Sequence, residues 1–209
     1  MPPRHILLTG FGPFRRVIVN PTEQIILHFR EQPPENVRLT THIFPVSFNR
    51  VPQELKRLLV DENGEPIAYD AILLLGVATG SSHWRVETQG ENADAAFSDA
   101  DDFTPQTLQI IEDAPQHLAS TFPSEMIKER IVALGLPVTL STSAGNYLCN
   151  HVLYRALHFI HERTPKVPVG FLHIPAAPDT FAPGITSAPV FSREQHLAAV
   201  AETLAVLVE

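Results

Sequence analysis

Cysteine is almost missing from this 209-residue chain: there is one, Cys149. A lone cysteine excludes an internal disulfide framework and leaves three roles for itself, as core filler, reactive thiol or single metal ligand. Basic residues are also scarce, 15 Lys and Arg against 23 Asp and Glu, for a formal charge of −8. They are scattered, with Arg15-Arg16 the densest pair, which excludes nucleic acid as the expected partner because that requires a clustered basic surface. No apolar run is long enough to span a bilayer, so no membrane association is expected. Met1 to Leu8 enters a strand-like segment without a signal-peptide h-region, and the expected compartment is the cytoplasm. Glycine is sparse, 10 against 19 prolines, which points to stiff turns rather than flexible linkers. The G-x-G-x-x-G dinucleotide fingerprint and the lysine of a P-loop are both lacking.

What the chain does have is apolar content, 44% of residues, enough for a sizeable core. Residues 1–209 are expected to form a single domain, since no linker or repeat interrupts them. Short β-rich runs alternate with segments of helical period. Ile6 to Phe11, Leu39 to Val46, Ala71 to Val77, Val138 to Thr142 and Val167 to Ile174 read as strands. Helices are expected from Asn20, as N-cap before Pro21, then over Asn49 to Val60, Ser124 to Leu134 with Ser124 as cap, Asn146 to Glu162, and Arg193 to Val208. The alternation predicts an α/β fold, a three-layer α/β/α sandwich around a largely parallel, mixed sheet. Ala78 to Gln106 shows no clear period and is too long for a mere connection.

Cys149 falls at the start of its expected helix, near unpaired backbone N–H groups and the positive end of the dipole. That setting lowers a thiol pKa and favours a nucleophile, although free cysteine is most often a buried small hydrophobe. Ten histidines compete to be its base. His158 and His161 have a spacing that metal sites use, but no matching acidic or cysteine ligand accompanies them. His173 lies near the C-terminal end of an otherwise apolar strand, where sites assemble in open parallel sheets. A satisfied core histidine is the alternative. An orienting carboxylate is available from Glu87, Glu91, Asp94, Asp99, Asp101 or Asp102, among which composition does not choose. Gly10-Phe11-Gly12-Pro13-Phe14 is a stiff turn whose two rings either wall a small ligand or pack into the core.

Three blocks together resemble the pyroglutamyl peptidase I family of cysteine peptidases. They are Gly10-Phe11-Gly12-Pro13-Phe14 with Val19-Asn20-Pro21, the run Ser143-Ala144-Gly145-Asn146-Tyr147-Leu148-Cys149-Asn150-His151, and Phe171-Leu172-His173-Ile174-Pro175. The resemblance implies hydrolysis of an N-terminal pyroglutamyl (5-oxoprolyl) group from peptide substrates, with Cys149 as nucleophile and His173 as base. Counting forward from Gly76 without a gap, it puts the orienting carboxylate on Glu87 and an asparagine of the site on Asn92. It further implies that Phe11, Phe14 and Tyr147 hold the oxoproline ring, with Asn20 also at the substrate site. No cofactor or metal is implied, and a homo-oligomer, commonly a tetramer, is. The chain departs from the family where Val86 replaces the proline before the glutamate, and where Phe97 occupies the place of an arginine that assists the oxyanion.

In mechanistic terms the backbone N–H of Cys149 and one from the Gly10 to Phe14 loop are expected to hold the oxyanion. The acidic stretch after Glu87 motivates an alternative, a catalytically degenerate 5-oxoproline-binding protein of the same fold. A phosphorolytic enzyme ranks last, because the loop after the first strand offers only Arg15 and Arg16 to an anion.

Overall fold

A computed structural model describes residues 2–164, 166–185 and 189–209. Its strands are β1 (Arg4–Phe11), β2 (Val37–Phe44), β3 (Ala71–Val77), β4 (Trp84–Glu87), β5 (Gln89–Glu91), β6 (His117–Ala119), β7 (Val138–Ser141) and β8 (Val169–Ile174). The helices are α1 (Pro21–Glu31), α2 (Val51–Leu59), α3 (Ser124–Ala133), α4 (Leu148–Arg163) and α5 (Arg193–Val206). Six strands form one sheet in the order β2-β1-β3-β8-β4-β7, and β5 pairs separately with β6.

The apolar runs explain the centre of this sheet. Ile72 to Leu75 and Val169 to Ile174 are buried on both faces, as continuous hydrophobic strands must be. Alternate residues then sort to two cores. Leu7, Ile72, Leu74 and Phe171 pack with Leu55 of α2 and Val152, Leu153 and Leu157 of α4. Ile6, Leu8, Leu73, Leu172, Trp84 and Val86 face the other way, against Ile26 of α1, Ile127 of α3 and Val200 of α5. The result is the expected three-layer α/β/α sandwich.

The sheet is mixed in a specific way. β2, β1, β3 and β8 are mutually parallel, whereas β4 runs antiparallel to β8 and β7 runs parallel to β4. So the strand that precedes Cys149 runs opposite to the one carrying His173, and the chain reaches the site across a sheet face rather than from a shared strand end.

Several local expectations change. The second strand begins at Val37 and ends at Phe44, two residues earlier than its apolar pattern indicated. Pro123, not Ser124, is the N-cap of α3, and Ser124 is the first helical residue. Asn20 does cap α1: its side-chain oxygen accepts from Thr22 N–H at 3.0 Å and Pro21 follows at the first position. The aperiodic stretch after β3 contains β4 and β5, strands of four and three residues, too short for a period to register.

Candidate active site

Strand register assembles the site. Gly76 of β3 and Arg85 of β4 are both direct partners of His173 on β8, so the three form one row across the sheet. Glu87 lies one pleat along β4, opposite Phe171, and points to the same face. That face is the one α4 covers, since neighbouring Trp84, Val86 and Leu172 turn to the other core. Glu87 Oε1 is 2.7 Å from His173 Nδ1, with the carboxylate fully buried and the imidazole nearly so. An ionised carboxylate only accepts, so Nδ1–H is the donor and Nε2 is left as the basic nitrogen. Arg85 Nη2 is 3.3 Å from the same Nδ1, and Arg85 Nε is 3.3 Å from Glu87 Oε1.

Cys149 enters from above, as the second residue of α4. Its sulfur rests on Gly76: a Cβ added there would lie 2.7 Å from Sγ and 2.6 Å from Phe171 Cζ. Gly76 is therefore required by close approach. Tyr147 caps α4 with no side-chain hydrogen bond, and the first backbone bond of that end runs from His151 N–H to Tyr147 O. The Leu148 and Cys149 N–H groups thus remain available as donors beside the sulfur.

Helix position does not by itself make the thiol acidic. Burial pushes Cys149 up to about 12, the Glu87 charge adds to this, and Arg85 opposes it. Burial also lowers His173, against the raising effect of its Glu87 hydrogen bond and charge. Thiol and imidazole are consequently both neutral at pH 7.

Two spaces meet at Cys149. A narrow cavity of about 20 Å³ is lined by Phe11, Phe14 and Tyr147 together with Asn20 and Cys149. A cleft of about 510 Å³ adjoins it, between Cys149, His173, Arg85 and the turn Thr79 to His83. The two share Phe14, Val77, Tyr147 and Cys149, and the second adds the hydroxyls of Thr79, Ser81 and Ser82 with His83, His173 and Arg85.

The model for the pyroglutamyl peptidase family matches residues 4–209. The chain belongs to that family. It is 37% identical to the pyrrolidone-carboxylate peptidase of Thermococcus litoralis over 177 residues, covering 84% of this chain and 78% of that protein. Against the pyrrolidone-carboxylate peptidase of Staphylococcus aureus the figure is 32% over 200 residues, 93% and 89% of the two chains. The solved pyrrolidone carboxyl peptidase from Thermococcus litoralis superposes with a TM-score of 0.86 at 34% identity, over 98% of this chain and 93% of that one. A mutant pyrrolidone carboxyl peptidase from Pyrococcus furiosus gives 0.88 at 30%, over 98% of each chain.

Against the family expectation, Asn92 is not at the cleft. It is buried, and its amide donates to Ile111 O and Ala114 O while its oxygen accepts from Ile111 N–H. Its work is to fold the 92–114 excursion. Asn20 borders the aromatic cavity, but its amide groups are engaged with Gly12 O and Thr22. It sets the Gly12 turn that presents Phe11 and Phe14. That turn has no N–H to spare for an oxyanion, because Phe11, Gly12 and Phe14 donate to Thr22 Oγ1, Phe44 O and Val17 O.

Two of the other acidic candidates, Asp94 and Asp99, are structural. Asp94 binds His151 Nδ1 at 2.7 Å, while Arg155 Nε donates to His151 Nε2. Asp99 accepts from Phe48, Asp101 and Phe103 N–H groups. Phe97 is solvent-exposed, 61%, with no polar replacement for the family arginine at that point. His158 and His161 contact Glu162 and Ala119 O, and among the described residues no three His, Cys, Asp or Glu cluster as metal ligands. Arg85 escaped the sequence reading. The signal was its place two residues before Glu87, which in a strand means the same face.

Proposed function

We propose that this chain is a cysteine-type omega peptidase that hydrolyses the bond between an N-terminal 5-oxoproline and the next residue. Cys149 is the nucleophile, His173 the general base and Glu87 the residue that orients it. The observation that carries the reading is the buried Glu87 Oε1 to His173 Nδ1 bond of 2.7 Å, on the sheet face against which the Cys149 sulfur lies.

The oxoproline ring is uncharged, and Phe11, Phe14 and Tyr147 offer it aromatic walls, which must part because the cavity between them is only about 20 Å³. Because both groups rest neutral, the thiol gives its proton to His173 Nε2 as the sulfur attacks the acyl carbon, rather than beforehand. The new C–S bond forms as the carbonyl electrons move to oxygen, where the Leu148 and Cys149 N–H groups stabilise the charge. Imidazolium, steadied by Glu87, returns its proton to the leaving amine as the C–N bond breaks. Water, deprotonated by the same nitrogen, then cleaves the thioester and frees 5-oxoproline. Every step uses groups of this chain, with no metal or cofactor called upon. By likeness to the family the reading extends to a cytoplasmic homo-oligomer, a tetramer. No described helix is long and apolar enough to cross a membrane.

A fluorogenic 5-oxoprolyl amide tests the activity. Cys149→Ala should abolish fluorophore release, and His173→Ala should cost about 10²–10⁴-fold in kcat. Glu87→Gln should cost less than His173→Ala. Undiminished turnover by Cys149→Ala would overturn the assignment.

A further inference from the structure

The same row of residues gives the substrate a direction, and that direction ends on a charge nothing in the proposed reaction uses. From one side of the sheet to the other the order is Phe11 on β1, Gly76 with the Cys149 sulfur on β3, His173 on β8 and Arg85 on β4. A substrate laid along it puts its ring by Phe11 and its carbonyl at Sγ. The leaving nitrogen, bonded to that carbonyl, then points toward His173, whose strand is one spacing of about 4.8 Å further on. The residue after the scissile bond must lie over β4.

Arg85 stands there. Its side chain keeps 30% of its surface exposed and lines the cleft with Thr79, Ser81 and His83. No Asp or Glu side chain lines this cleft, in a chain whose formal charge is −8. Arg85 turns Nε inward to Glu87 and one Nη toward His173. The contact with His173 is not a good hydrogen bond, because Nδ1 already carries the proton given to Glu87. The guanidinium therefore has donors to spare on the cleft side, in the planar fork that matches a carboxylate.

We propose that Arg85 makes this enzyme favour a carboxylate on the residue that follows the oxoproline, whether the side chain of Asp or Glu or the free C-terminus of a dipeptide. This inference rests on the peptidase reading and adds its leaving-group specificity. Arg85 is a substrate-recognition residue here, three strands across the sheet from Phe11.

The test compares kcat/KM for pGlu-Ala-amide, pGlu-Glu-amide, pGlu-Lys-amide and pGlu-Ala with a free carboxylate. pGlu-Glu-amide should exceed pGlu-Ala-amide by about fivefold at low salt, the size of an effective exposed charge pair, and pGlu-Lys-amide should fall below it. The free-carboxylate dipeptide separates the two sources: a gain there alone assigns the backbone terminus, and a gain for the Glu substrate alone assigns the side chain. The preference should shrink as ionic strength rises. Arg85→Gln should bring the acidic-to-neutral ratio to about one, and Arg85→Lys should retain part of it. The ratio within each variant is the readout, so a change in its overall rate does not matter. Equal wild-type rates on acidic and neutral substrates would overturn the inference while leaving the peptidase reading intact, as would an unchanged ratio in Arg85→Gln. No turnover of any of the four would instead sink the peptidase reading.

Discussion

Gly76→Ala is the most searching perturbation, because it adds one methyl at the floor on which the nucleophile rests. The new Cβ would sit 2.7 Å from Cys149 Sγ and 2.6 Å from Phe171 Cζ. Ordinary contact is about 3.5–4.0 Å, so roughly 1 Å must be found. Phe171 is fully buried in the sheet and has nowhere to go, whereas Cys149 borders an open cleft. The sulfur should therefore be the atom displaced. A misplacement of about 1 Å at a reacting centre costs about 10²-fold, and the overpacking itself about 1–3 kcal/mol. The assay is kcat on a fluorogenic 5-oxoprolyl amide, beside thermal unfolding of the same preparation. Gly170→Ala is the control: its Cβ would strike Phe122 Cδ2 at 2.3 Å, so it should lose stability but keep kcat in the folded fraction. A folded Gly76→Ala variant with wild-type kcat would refute the claim that the sulfur lies on this glycine.

Other consequences concern pH and the excursion after β4. Burial lowers His173, and the working pair is neutral, so kcat/KM should hold through neutral pH and fall only in acid, below the ordinary histidine pKa of 6.5; a pH–rate profile with an acid limb above 7 would contradict this. His196, buried beside Trp84, is lowered by that burial to about 4, against a smaller raising contribution from the Ala176 backbone. Its unfolded form takes up a proton first as pH drops, so stability is fully present above about 6.5 and lost between 6.5 and about 4. His196→Phe should flatten that slope in urea titrations at pH 7 and pH 5. Asn150 bonds Glu91 N–H and the carbonyls of Glu91 and Ala93; Glu91 O also accepts from Ala93 N–H, so Asn150→Ala should leave Glu91 N–H and Ala93 O without partners and cost about 2 kcal/mol by chemical denaturation.

Much of the architecture was legible because it rests on local chemistry. Ile72 to Leu75 could only be a covered strand, and Asn20-Pro21 could only open a helix. The small sheet of β5 and β6 was not legible, since three-residue strands joined across 25 intervening residues carry no period of their own. Nor was the true use of the excursion's polar residues. Asn92, Asp94 and Asp99 look like candidates for chemistry by type, and only their partners reveal that they hold the loop.

For the site, the letters alone determined that one thiol exists, that it begins a helix, and that a histidine ends an apolar strand. These are properties of single segments and need no knowledge of neighbours. Only the tertiary structure decided that Glu87 rather than five other carboxylates meets that histidine, and that Arg85 joins them. The physical reason is register: a one-residue slip of β4 against β8 would turn Glu87 and Arg85 into the opposite core and leave Val86 facing the sulfur.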